Sequence, residues 1–190
     1  MLIFMKTEDK KYYDYLVKRS KLSFTLRKFM YKSIAKEFRG KVLDVGCGLG
    51  EFLELYKNSY GIDSNKYAVD YCKSNNLRCF VGSAYKIPFR SSSFDVVLCS
   101  HLIEHLKRPE IALKEFRRVL KPSGKLIIIV PTKTGYKRDK THVKYWKESE
   151  LIDILESFNF KIKKVSYYPV QIRGLRDMLY INELRVIATK

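Results

Sequence analysis

Apolar positions along this chain follow two rhythms. Short runs of branched and aromatic residues occupy positions 42–45, 60–63, 77–81, 94–99 and 125–130. Each is too short for a helix and reads as a strand. Segments 51–56, 65–75, 101–107, 109–120 and 148–158 can be helical, several with apolar residues three and four apart. Pro109 suits a first helical turn. Lys121-Pro122-Ser123-Gly124 predicts a stop before the strand that opens at Lys125. Strands alternating with helices predict an α/β fold with a parallel sheet. Upstream, Tyr12, Tyr15, Leu16, Leu22, Leu26, Phe29, Met30, Ile34 and Phe38 give residues 6–38 a helical stripe. Two helices broken near Ser20 to Ser23 fit it, with Gly40 as the stop. The first of them is a candidate lid. Residues 160–167 alternate like a strand, and 183–188 close the chain as another. No helix of proper length separates these last two, so they form an antiparallel pair at one edge of a mixed sheet.

A length of 190 residues predicts one domain with a sizeable core. It divides into an N-terminal helical cap (1–40), a ligand-binding core (41–131) and a C-terminal substrate-side part with the edge hairpin (132–190). No run of 18 apolar residues predicts a membrane span, and no secretory signal is visible. The four cysteines, Cys47, Cys72, Cys79 and Cys99, show no metal-ligand spacing, so reduced thiols and a cytoplasmic location are expected. The formal charge of +18 changes the picture more. Residues 1–41 carry 12 basic and 4 acidic side chains, residues 42–131 carry 13 and 9, and residues 132–190 carry 13 and 7. A partner of this charge would therefore meet the flanks; solubility alone is the simpler account.

The chemistry concentrates in Lys41-Val42-Leu43-Asp44-Val45-Gly46-Cys47-Gly48-Leu49-Gly50-Glu51-Phe52. A buried strand, three glycines at alternate positions and a helix make the opening of a βαβ nucleotide site. The glycines let the backbone turn tightly and approach a ligand. Asp63 ends the next strand, where a carboxylate can accept both hydroxyls of a ribose. With Ser93-Phe94-Asp95-Val96-Val97 and Leu120-Lys121-Pro122-Ser123-Gly124-Lys125-Leu126, these stretches resemble the class I S-adenosylmethionine-dependent methyltransferases of the small-molecule type. The likeness covers residues 40–131 well and the C-terminal third loosely. It implies a Rossmann-like, doubly wound, seven-stranded mixed sheet with an antiparallel last strand and helices on both faces. A dinucleotide site wants G-x-G-x-x-G; here the third glycine comes one residue early, which disfavours an oxidoreductase.

With that cofactor, the backbone of Gly46, Cys47, Gly48 and Gly50 can hold the methionine carboxylate. Acceptors near Asp44 and the end of the fourth strand, at Ser100, can hold its ammonium. The resemblance implies that Asp63 binds the ribose and that Ser83-Ala84 edges the adenine. Two positions depart from the family pattern: Ser83 stands where many members have an aspartate, and Ser64 where an apolar residue packs on adenine. Tyr85 is a neighbour able to stack instead. His101 and His142 are the candidates for acceptor-side or base roles, with His105 structural. His101-Leu102-Ile103-Glu104-His105 also fits H-x-x-E-H, but the family has a similar Glu-His-Leu here and the context is not a protease, so no metal is expected. The expected activity is methyl transfer to a small-molecule acceptor by in-line displacement. The alternatives are an RNA- or tRNA-directed enzyme or nucleic-acid binder using the basic flanks, and a lipid or quinone methyltransferase at a membrane surface, suggested by segments 11–30 and 169–181. No Asn-Pro-Pro-Tyr-like motif follows the fourth strand, which argues against amino methylation of bases. Oligomeric state is not encoded in these patterns.

Overall fold

The computed structural model describes residues 7–18, 21–172, 175 and 181–190, with the backbone alone for 21–23. Most of segment 169–181 therefore lies outside the described residues. β1 (Val42–Val45) is wholly buried. It pairs in parallel with β2 (Ser59–Asp63) on one side and β4 (Phe94–Ser100) on the other. β3 (Cys79–Val81) extends the β2 side, and β5 (Leu120–Pro131) the β4 side. β7 (Glu183–Thr189) runs antiparallel between β5 and β6 (Lys161–Tyr168). The order is β3-β2-β1-β4-β5-β7-β6. The expected antiparallel edge pair is present, and so is the Rossmann-like seven-stranded sheet.

Strand side chains alternate between faces, and two core layers follow from that. Leu43, Val45, Val97, Cys99, Leu126 and Ile128 face α5 (Pro109–Val119) and α7 (Glu148–Ser157). Val42, Val96, Leu98, Ile127 and Ile129 face α2 (Lys21–Ser33), α3 (Glu51–Leu55) and α4 (Lys66–Ser74). On α5, Leu113, Phe116 and Val119 are fully buried, each large side chain contributing about 1.5–3 kcal/mol. Helices therefore cover both faces. A shorter α1 (Lys10–Val17) stands before α2.

Four local expectations are corrected. Of the break expected near Ser20 to Ser23, Lys21 to Ser23 belong to the second helix, and Ser20 lies outside the described residues. Phe29, placed on the apolar stripe, is 62% exposed, with its ring 6.4 Å from that of Tyr168. Residues 101–107 make only a single 3₁₀ turn, Ile103–His105. β5 starts at Leu120 and runs through the predicted stop: Leu120 pairs with Phe94, the register slips, and Lys125 pairs with Val96. Ser123, at φ 60°, supplies the irregularity. The 132–146 loop contains one short helix, α6 (Lys133–Tyr136). No helix among the described residues is long and apolar enough to cross a membrane.

Candidate functional site

From β1 the chain proceeds outward in both directions, to β2 and β4, so the carboxyl ends of β1 and β4 border a topological switch point, where open α/β sheets bind ligands. The glycine loop lies there. Gly46, Gly48 and Gly50 all have positive φ (76°, 52° and 79°), a backbone shape that side chains resist. A Cβ on Gly48 would meet only Leu16 Cδ1, at 3.9 Å, so this turn is open to close approach except where α1 covers it. Leu16, Leu49 and Ala68 form a small cluster beneath Tyr12, Tyr13 and Phe24. Asn65 fastens that cover: its Nδ2 donates to the Thr7 and Asp9 carbonyls while its Oδ1 caps α4.

Asp63 reaches across to the loop. Its Oδ2 accepts from Gly48 N and its Oδ1 from Asn65 N, both at 2.8 Å. An ionised carboxylate has about four lone-pair sites, so acceptor capacity remains. Burial lifts its pKa to about 6, against the lowering effect of those backbone donors. Asp44 is 2% exposed, and burial, with Glu51, Cys79 and Asp63 nearby, raises its pKa well above the ordinary range. Cys47 lies under the loop, its Sγ 3.2 Å from that of Cys79, and Cys72 donates to Gly48 O. Ser64 is exposed, Ala84 buried, and Ser83 Oγ accepts from Tyr85 N. Arg118 and Glu115 hold the loop that follows: the guanidinium donates to Ile87 O and Phe89 O, and Glu115 accepts from Ile87 N.

The β4 side is a polar network. Ser100 Oγ accepts from the Tyr31 hydroxyl at 3.3 Å. His101, a non-glycine residue at φ 52°, places Nε2 2.8 Å from Glu183 Oε1. Burial alone would lower its pKa, but the Glu104 and Glu183 carboxylates outweigh it, and the net shift is upward. Glu183 also receives two bonds from Arg185, whose other nitrogen donates to Ser33 Oγ. Arg27, among Tyr31, Glu51 and Glu183, has its pKa raised by them against burial. Arg27, Tyr31, Ser100 and Glu183 line a shallow cleft. Tyr31, Arg27, Glu183 and Arg185 were missed by sequence reasoning; no motif marks them, and only the fold brings α2 and β7 to the end of β4.

His142 returns to the same region and shares Glu104 with His101, whose Nδ1 lies 3.5 Å from Glu104 Oε1. Its Nδ1 lies 2.6 Å from Tyr136 O and its Nε2 3.8 Å from Glu104 Oε1. The Val143 and Lys144 amides both donate to Glu104 O, pinning the loop there. Asp44, the glycine loop and Asp63 thus stand at the carboxyl ends of β1 and β2, Ser100 and His101 at the carboxyl end of β4, Ser83-Ala84 just after β3, and His142 on the loop after β5.

A glycine turn at the switch point, an acid ending β2 and a seven-stranded sheet closed by an antiparallel β7 define a class I methyltransferase architecture. Residues 43–128, a little under half of the chain, match the family model described as a methyltransferase domain. An S-adenosylmethionine-dependent methyltransferase from Archaeoglobus fulgidus has the same fold, with a TM-score of 0.76 at 24% identity, covering 88% of this chain and 94% of that one. Among curated proteins, the chain is 37% identical over 115 residues to the tRNA (carboxymethyluridine(34)-5-O)-methyltransferase alkbh8 of Xenopus tropicalis, covering 57% of this chain and 18% of that protein. It is also 37% identical over 165 residues to an uncharacterized protein of Methanocaldococcus jannaschii, covering 86% of this chain and 64% of that one. The chain thus spans less than two thirds of the length of either relative. The cofactor of the domain family is S-adenosylmethionine.

Proposed function

We propose that the chain, as a single domain, transfers a methyl group from S-adenosylmethionine to a small-molecule acceptor by in-line displacement. The observation that carries this is the Gly46–Gly50 turn at the switch point with the Asp63 carboxylate against it. The residues suit the donor chemically. Loop amides and Arg27 offer partners to its carboxylate, Asp44 and the Ser100 end of β4 offer acceptors to its ammonium, and Asp63 retains lone pairs for ribose hydroxyls. Ser83 and Ala84 border the adenine side, and the Arg118–Glu115 pair holds the residues just after them, Ile87 and Phe89. Ser64, exposed beside Asp63, has only its backbone and hydroxyl to offer. When bound, the cofactor supplies an electrophilic methyl carried on a sulfonium. The protein's part is alignment and exclusion of water under α1. His101, held by Glu183, and His142 take the acceptor side. His101, with its raised pKa, is suited to donating a hydrogen bond rather than to removing a proton. Four free, buried cysteines accord with a reducing, cytoplasmic setting.

Calorimetry with S-adenosylhomocysteine tests the reading. Asp63→Ala should weaken binding by about 10- to 100-fold, the value of hydrogen bonds to a charged group, with the melting transition still cooperative. An unchanged dissociation constant contradicts the ribose role. His101→Ala should keep cofactor binding and lose turnover.

A second reading has its own support. The charge of +18 and the 37% identity to a tRNA methyltransferase favour an RNA acceptor reached through the basic flanks.

A further inference from the structure

Glu104 is 1% exposed, and among the described residues neither of its carboxylate oxygens has a hydrogen-bond partner. A buried, unpaired carboxylate costs several kcal/mol unless a cation or donor meets it. What stands around it is nitrogen. His142 Nε2 lies 3.8 Å from Oε1, and His101 Nδ1 lies 3.5 Å from it. One ligand atom each from Glu104, His105 and His142 falls within 4.8 Å of the others.

The hydrogen bonds of the two later histidines decide which nitrogens face inward. A carbonyl only accepts, so His142 Nδ1, 2.6 Å from Tyr136 O, carries the proton. His105 Nδ1 lies 3.2 Å from Thr141 O and 3.0 Å from Thr141 Oγ1, and that hydroxyl already donates to Asp139 Oδ1. Nδ1 of His105 is therefore also the protonated nitrogen. Both neutral rings then present a bare Nε2. Backbone carbonyls setting the tautomer from behind are the usual support of metal-binding histidines. Lone pairs of an imidazole and a carboxylate facing each other in a buried place repel unless a cation lies between.

We propose that Glu104, His105 and His142 bind a divalent first-row transition ion. Two imidazoles and one carboxylate suit zinc, iron or manganese and leave coordination positions open. Around a tetrahedral ion with bonds of about 2.0–2.2 Å, ligand atoms stand about 3.3–3.6 Å apart. The 3.8 Å pair is nearly there, and the widest separation closes with a side-chain adjustment. The remaining ligands are supplied by solvent or by an oxygen of the methyl acceptor, since Glu104 and His105 follow directly on His101 beyond β4. That last step rests on the proposed function; the ion itself does not. It narrows the acceptor to a molecule bearing a carboxylate, which a bound ion would orient, or a hydroxyl, which it would orient and make easier to deprotonate.

The test uses the full chain, stripped with a chelator and titrated with Zn²⁺ in a calorimeter and with Co²⁺ in a spectrophotometer. One equivalent of each should bind, with a cobalt ligand-field spectrum free of thiolate charge transfer. Glu104→Gln and His142→Ala should each weaken binding by more than the about 10- to 100-fold that loss of an outer partner costs. Cys79→Ser should leave it unchanged, which separates this place from the group of Cys47, Cys72 and Cys79. Circular dichroism melts establish that the variants fold. Absence of metal binding by the wild-type chain overturns the inference and leaves a proton as the cation at Glu104. Binding unaltered in both variants, or a thiolate band, also overturns it. S-adenosylhomocysteine titrated into the same stripped samples keeps the readings apart: a chain that binds it but no metal retains the methyltransferase reading alone.

Discussion

In the proposed function, Asp63 is one side chain that serves structure and ligand together. Its carboxylate ties the glycine loop to the end of β2 through Gly48 and keeps lone pairs for a ribose. Burial sets its pKa at about 6, above the ordinary value of about 3.9. The folded state thus holds the proton more tightly than the unfolded chain. Its contribution to stability is complete below about pH 3.9 and is lost as pH rises through about 6. Cofactor affinity runs the other way, because the ionised form accepts hydroxyl hydrogen bonds best. The dissociation constant for S-adenosylhomocysteine should therefore tighten between pH 5 and pH 7 and then level off, a slope that calorimetry should find missing in Asp63→Asn. The glycines and Asp63 were legible in the sequence because their meaning lies in short spacing. Glu183 was not: it meets His101 from 82 positions away, and a residue opening a terminal strand carries no local mark. Glu104 was visible only as a motif letter. Its orphaned oxygens exist because the 132–146 loop returns, and no periodicity encodes that return.

At the scale of elements, the cover over the glycine loop depends on one asparagine. Asn65 caps α4 and ties it to the carbonyls of Thr7 and Asp9, just before α1. Asn65→Ala should lower stability by about 1 kcal/mol through the lost cap, read from denaturant titration. It should also free α1, so that stopped-flow measurement finds faster association of S-adenosylhomocysteine and hydrogen exchange finds less protection in residues 10–17. Faster exchange without faster association would place α1 off the entry route. The loop after β3, proposed to edge the adenine, has a comparable fastening. Arg118 donates to the Ile87 and Phe89 carbonyls, so Arg118→Ala should weaken cofactor binding modestly while leaving the sheet intact, seen as a change in affinity with little change in melting temperature. Strand and helix identities were readable here from apolar rhythm. Their ends were less so. The predicted helix after β4 shrank to one turn because His101 leaves β4 with positive φ and Glu104 packs inward. β5 began early because Leu120 finds a partner in Phe94, a contact that a proline and a glycine in sequence do not announce.

For the whole molecule, the alternation of strands and helices was enough to give the sheet its class, and the missing helix between the last two strands gave it the antiparallel edge. The acceptor is another matter, since it depends on surfaces rather than on periodicity. Net charge is the one global signal. Residues 42–131 hold +4 of the +18, so most of the excess lies outside the stretch proposed to bind the cofactor. A small acceptor needs no such field, and in that case the lysines serve solubility and binding to polyanions is weak and indifferent to structure. An RNA acceptor would draw counterions off its phosphates on binding, and log affinity would fall linearly with log salt, by about 0.7–0.9 for each phosphate neutralised. Gel mobility shift with tRNA across a salt series separates the two. A slope of several phosphates, reduced when Lys10, Lys11 and Lys18 on and beside α1 are changed together to Gln, would assign the flank to RNA. No shift at low salt would remove the RNA reading and leave the small oxygen-bearing acceptor, because a patch that cannot hold tRNA when screening is weakest cannot present it to the methyl group.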